Sequence, residues 1–176
     1  VDNNPANIEQ LMACNYPGSE LTVEQMIPEK VLVIGENLQI RRFARVEGIV
    51  KEYVHFNKKE GVLVAASCSA GANAAVLDCL NDVALQADAM KATFHTKEEV
   101  PAEVIEQEKQ IVMAQMAEDP KMASKPEQVR AKIGEGKIGK YYTENCLLEQ
   151  AFVKDDKLSV QGYVDAEAKK LGGSIK

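Results

Sequence analysis

"GVLVAASCSAGANAAVLDCLNDVALQADAMKA", residues 61–92, contains the change of period that decides the fold. Its first part, "GVLVAAS" (61–67), is β-rich and almost wholly apolar, the pattern of a strand covered on both faces. After Gly71 the spacing turns helical. Val76, Cys79, Leu80, Val83, Ala84, Ala87 and Met90 recur at i, i+3, i+4 and i+7, so they share one face. Asp78, Asn81, Asp82 and Asp88 take the other. A strand followed by an amphipathic helix predicts an α+β domain whose helix packs on a small antiparallel sheet. Cys79, on the apolar face, reads as a small core residue.

Upstream, "IVKEYVHF" (49–56) supplies the partner strand, and Asn57-Lys58-Lys59-Glu60 is the polar loop of a hairpin. Before it, Leu38 and Ile40 alternate with polar residues and "FARVEG" (43–48) continues the extended pattern. The alternation slips at Arg41-Arg42, which predicts a bulge. Further back, Thr22 with Gln25 three residues on has capping-box spacing, so a short helix starts there. Ile34-Gly35-Glu36-Asn37 stops it. Residues 1–20 are turn-rich, with Asn3-Asn4-Pro5 and Tyr16-Pro17-Gly18-Ser19.

Downstream, residues 93–100 form a connector and Pro101 suits a first helical turn. Glu103 to Ala117 favours helix, with Val104, Ile105, Ile111, Val112 and Met116 apolar. "EDPKMASKP" (118–126) breaks it, and Ser124-Lys125-Pro126-Glu127 restarts a helix with a second capping-box signal. Two amphipathic helices about a Pro-bearing break predict an antiparallel hairpin. The narrow apolar content of both arms predicts that it projects from the body; two helices packed flat on the core are the plainer alternative. "CLLEQAFVKDD" (146–156) returns the chain to the core, with a turn at Lys154-Asp155-Asp156-Lys157. Ser159 then caps a short helix that ends at Gly172-Gly173.

The chain has 176 residues, 45% of them hydrophobic, with no Trp and 5% aromatics, so the core must be aliphatic. A formal net charge of −6 argues against a nucleic-acid binder, whose footprint is usually basic. Cys14, Cys68, Cys79 and Cys146 form no CxxC pair, and two histidines complete no zinc-ligand spacing; the expectation is four free thiols, no metal and no cofactor. No apolar run reaches the length that spans a bilayer. Val1 in place of Met, and Ile175-Lys176 as the start of an apolar strand, predict a piece of a longer protein.

Little chemistry stands out. His55 has no nucleophile or orienting carboxylate beside it in sequence, which leaves a packed or surface residue or a partner contact as its readings. His95 sits in a polar connector. "SCSAGA" (67–72) matches neither GxSxG nor a P-loop and reads as a strand-to-helix turn. A thiol hydrolase built on Cys146 or Cys68 is the remaining enzymatic reading. An interaction protein fits better than an enzyme.

Several stretches resemble bacterial translation elongation factor Ts, the nucleotide-exchange factor for elongation factor Tu. "IGENLQIRRFARVEG" (34–48) is similar to that family's strand motif, and "YVHFNKKEGVLVAAS" (53–67) to the hairpin after it. "VPAEVIEQEK" (100–109) and "SKPEQVRAKIGEGKIGKYYTENCLLEQAFVKDDKLSV" (124–160) resemble its helical hairpin and the segment that follows. The resemblance implies two related α+β subdomains that grip elongation factor Tu, and a projecting coiled coil. It implies 1–47 as the remainder of the N-subdomain, 48–100 and 141–176 as the C-subdomain core, and 101–140 as the coiled-coil hairpin, with arms from Pro101 to Ala117 and Ser124 to Lys140. It places Ile34 and Gly35 against the partner's nucleotide-binding domain, His55 at the contact surface, and Phe152, Val153 and Lys154 on a partner-facing edge. It implies no bound nucleotide, no direct nucleic-acid or membrane contact, and a bacterial cytoplasmic or organellar setting.

The sequence also departs from the family. These 176 residues contain no Thr-Asp-Phe-Val run, whose Asp and Phe push towards the partner's Mg²⁺ site in the family, and no N-terminal ubiquitin-associated-like domain. Gln86 and Lys154 stand where some relatives have His and Met. The expectation is therefore an exchange-factor fragment with impaired exchange. The alternative is a structural or adaptor module that assembles through the helical hairpin, a homo-oligomer among its forms.

Overall fold

The computed structural model describes residues 3–176, and the chain divides into two compact units, Val1–Val46 and Glu47–Lys176. In the first unit, α1 (Ile8–Ala13) is capped by Asn7, whose side chain accepts from the Gln10 amide. The turn-rich reading of residues 1–20 did not anticipate this helix. α2 (Val23–Ile34) starts at Thr22 with the full reciprocal capping box to Gln25 and stops at Gly35, whose φ of 78° is the left-handed cap glycine favours. The extended segment predicted over residues 38–48 forms no ladder up to Gly48, and the bulge at Arg41-Arg42 does not arise. Alternation only creates two faces; a strand also needs a neighbour to take its backbone groups. None of the described residues from 3 to 46 is buried.

The second unit carries the main core. β1 (Ile49–Val54) pairs antiparallel with β2 (Gly61–Ala66), Glu52 opposite Leu63. α3 (Ala74–Met90) packs on both strands, its first turn capped by Asn73. Burial alternates along β2, and Leu63 is exposed. The strand is therefore covered on one face only, because α3 lies on one side of the hairpin. Beyond β2, Cys68 bridges antiparallel to Ile175, and Ser67 and Lys176 exchange both backbone hydrogen bonds. On α3 the expected apolar face is buried from Val76 to Ala84, but Met90 is exposed and Asp88 is buried instead. Met90 lies in the last turn of α3, and Asp88 turns towards His55 and Lys91.

α4 (Ala102–Glu118), the short α5 (Pro120–Ala123) and α6 (Glu127–Asn145) form the helical hairpin. Val112, Met116 and Ile138 make a small cluster of their own, separate from the main core. Lys137 Nζ donates to Gln115 Oε1 across the antiparallel pair. Asp119 caps α5, whereas the capping box expected at Ser124 does not form. Ser124 is instead the C-cap of α5, with helical backbone angles, and its hydroxyl donates back to the Lys121 carbonyl. The hairpin joins the body where Thr93 and Phe94 donate to the Asn145 carbonyl and Leu147 donates to that of Phe94. β3 (Ala151–Phe152) and β4 (Asp155–Ser159) follow, with the turn at Val153-Lys154, earlier than predicted. α7 (Val160–Lys170), capped by Ser159, closes the core with Val160 and Val164 against α3. The architecture is α+β, with two small antiparallel sheets.

Candidate functional site

The turn Val153-Lys154 is the most constructed surface feature of the second unit. Phe152 before it is 3% exposed and stacks on Tyr163, ring centroids 4.1 Å apart at 15°. Its ring belongs to the core and is not on the surface, so it supports the edge from beneath; alternation in β3 sends it inward and leaves Val153 outside, 46% exposed. Lys154 donates to Asp82 Oδ1 at 2.6 Å, and the Tyr163 hydroxyl donates to Asp82 Oδ2 at 3.0 Å. Burial first, and the bond to Asp82 second, push the Tyr163 hydroxyl well above its ordinary pKa, so it stays protonated. Asp82 thus ties together the edge, α3 and α7.

Below the turn lie two fully buried amides. Gln86 Nε2 donates to Gln150 Oε1 and to the Ala151 carbonyl, each at 3.1 Å. The Val153 amide donates to Gln86 Oε1 at 2.8 Å, and Gln150 Nε2 donates to the Glu144 carbonyl. Gln86 lies three residues after Val83, on the buried stripe of α3. A polar residue on an apolar stripe was the sequence signal for this network; its partners, Gln150 and the Val153 amide, lie more than sixty positions away and had none.

His55 ends β1. Its Nδ1 lies 3.0 Å from Asp88 Oδ2, with the Tyr53 hydroxyl 3.2 Å from the same nitrogen. Lys91 meets Asp88 Oδ1 at 3.0 Å and also pairs with Glu60. The Lys91 hydrogen bond is the largest of the causes that hold the Asp88 carboxyl below the usual carboxylate range, and the Glu60 bond is the largest that raises Lys91. Phe56, 87% exposed, covers the His55 ring at 4.4 Å. The loop between β1 and β2 is thereby fastened to the end of α3. Asp88 is two residues from Gln86, about 200° around the helix. α3 therefore separates His55 from the Val153-Lys154 turn. Ile34 and Gly35 lie at the exposed end of α2 in the first unit, beside the still more exposed Leu32 and Val33.

The cysteines offer no nucleophile at the buried positions. Burial first, then the Glu167 and Asp82 charges, raise the Cys79 thiol to about 11, and burial raises Cys146 as well. Among the described residues no three or more His, Cys, Asp or Glu side chains gather as a metal site would require, and no helix is long and apolar enough to cross a membrane.

The order of these parts along the chain can be set against known proteins. A model of the elongation factor Ts family matches residues 1–176. The chain belongs to the elongation factor Ts family. Elongation factor Ts of Trichlorobacter lovleyi is 42% identical over 182 residues, covering 99% of this chain and 57% of that protein. The elongation factor Ts of a Nitratiruptor species is 41% identical over 165 residues, covering 91% and 53%. That of Clostridium botulinum (strain Eklund 17B / Type B) is 36% identical over 179 residues, covering 100% and 57%. The chain thus spans little more than half the length of these elongation factor Ts proteins.

Proposed function

We propose that this chain is the partner-binding part of a guanine-nucleotide exchange factor for elongation factor Tu. The observation that carries the reading is the family match over all 176 residues. In this reading residues 1–47 belong to the N-subdomain, 48–100 and 141–176 to the C-subdomain core, and 101–140 form the coiled-coil hairpin. Ile34, Gly35, His55, Val153 and Lys154 contact the GTPase, and Phe152, its ring in the core, supports the Val153-Lys154 turn. The exposure of Ile34 and Val153, and the way Asp82 fixes Lys154, support that assignment.

The chain itself makes and breaks no covalent bond in this role. It binds the GTPase and deforms its Mg²⁺ and phosphate site, so GDP leaves. Linkage sets a condition: a factor that weakens GDP binding is itself bound less tightly by the GDP-loaded partner. Because the Thr-Asp-Phe-Val run is not among these residues, binding persists while GDP release is accelerated only weakly. The fitting setting is the bacterial cytoplasm or an organellar matrix or stroma.

The test is retention of nucleotide-free elongation factor Tu on the immobilised chain at micromolar concentration, reduced by GDP and by Lys154→Glu. No retention overturns the reading. Release of a fluorescent GDP at the full rate of a complete exchange factor overturns the impaired-exchange part. Retention of a second copy of this chain in place of the GTPase would favour the adaptor reading instead.

A further inference from the structure

The Gln86 amide does something a core glutamine seldom does: it bonds the backbone of one strand as another strand would. Ala151 offers its C=O and Val153 its N–H on the side of β3 away from β4. Those two groups, flanking one residue, are the pair that a neighbouring parallel strand takes up. Gln86 fills both, and its second N–H goes to Gln150. A carboxamide has two donors and one principal acceptor oxygen, and here all are used. The orientation is forced, because an amide N–H can only donate and a carbonyl can only accept. No other side chain of similar size supplies two donors and an acceptor in this shape.

We propose that Gln86 is a positioning residue that stands in for a missing strand. It holds 151–153 in one conformation and closes the backbone edge of β3, so a partner reads the Val153 and Lys154 side chains and cannot add a strand there. β3 is two residues long and its pairing with β4 is irregular after Ala151, so its own ladder is too short to fix the turn. Gln150 anchors the brace from the other end through the Glu144 carbonyl, and its own carbonyl accepts from the Val160 amide. The docking consequence rests on the exchange-factor reading; the brace does not.

Site-resolved amide hydrogen exchange on the full chain tests the brace. In the parent, the Val153 amide is protected although its side chain is exposed. Gln86→Met keeps the volume and removes the bonds. It speeds Val153 exchange roughly tenfold, the worth of about one net hydrogen bond, and leaves Val160 protected. Gln150→Met removes the bonds to Gln86 Nε2 and to the Glu144 carbonyl but neither bond from Gln86 to the 151–153 backbone, and leaves Val153 protected. A merely structural glutamine would release Val153 and Val160 together, or make the two variants alike; either result overturns the proposal. Should both variants fail to fold, the parent decides: a Val153 amide exchanging like a free one, with fast-exchanging Gln86 carboxamide protons, overturns it too. Gln86→Met also weakens capture of nucleotide-free elongation factor Tu roughly five- to tenfold. Unchanged capture with a released Val153 would overturn the positioning role. If the parent captures no GTPase, the docking reading falls, and exchange at Val153 still decides the brace.

Discussion

The body and the helical hairpin are both built on amphipathic helices, yet they bury different amounts. In the body, α3 and α7 meet through a wide stripe in which Val76, Cys79, Leu80, Val83, Val160 and Val164 are all buried. In the hairpin, α4 and α6 meet through Val112, Met116 and Ile138. Gly134 and Gly139 line an open apolar groove of about 460 Å³ beside them, with Met113 and Tyr142. The difference follows from stripe width. One apolar residue per turn suffices for a two-helix contact, but a third layer needs a broader face. Two helices so sparsely packed depend on helix propensity and on their anchorage at Thr93, Phe94 and Leu147. The hairpin is therefore expected to open locally, well before the body unfolds.

The largest test of this contrast is Leu80→Ala. It should cost the body about 2–5 kcal/mol, the usual range for a buried Leu, and lower the urea midpoint of the whole second unit by circular dichroism. Met116→Ala removes an equally buried side chain, but its loss should stay local, at about 2 kcal/mol. Hydrogen exchange would rise along residues 102–145 while Val83 and Ala84 amides keep their protection. If both variants shift the same global midpoint, hairpin and body are one cooperative unit and the contrast is broken.

Gly134→Ala should act in the opposite direction, stabilising α6 by roughly 0.5–1 kcal/mol through helix propensity. The added Cβ meets Met116 Cε at 3.6 Å, an ordinary contact, so nothing must move. Slower exchange in 102–145 alone would sharpen the comparison; a loss of stability would show the groove to be needed open. The smallest effect is confined to acid and to the body. Asp88 is held below the usual carboxylate range, so its contribution is complete above the unfolded value of about 3.9 and disappears as pH falls through the lower folded one. Thermal melts from about pH 6 to about pH 2 should show that limb, and Asp88→Asn should flatten it.

Where structure depends on neighbours a few residues away, the sequence was readable. The Thr22–Gln25 box, the stop at Gly35, the Asn57–Glu60 loop and the Ser159 cap all formed, because each is a side-chain or backbone contact made within a few residues. Two local readings, the capping box at Ser124 and the turn at Lys154-Asp155-Asp156-Lys157, were misplaced by a few residues, and the larger failures required a distant partner. Residues 38–48 had the alternation of a strand and no ladder to join up to Gly48. "GVLVAAS" looked covered on both faces, yet α3 covers one. Phe152, which the resemblance puts on the partner-facing edge, has its ring in the core, since a two-residue strand sends alternate side chains to opposite sides. In the candidate site, Val153 and Lys154 could be named from the resemblance and Gln86 stood out as a polar residue on an apolar stripe, but what Gln86 and Asp82 bond could not be read from the chain.

Sequence alone thus determined the α+β class, the helical hairpin and the family resemblance, because periodicity, caps and ordered motifs are written along one strand of chain. Tertiary structure alone decided that a glutamine on α3 takes the place of a strand, and that Asp82 joins Lys154 to Tyr163. The physical reason is separation: these bonds join residues 64 to 81 positions apart, and only burial of the aliphatic core brings their polar groups within reach and makes an unmade bond costly.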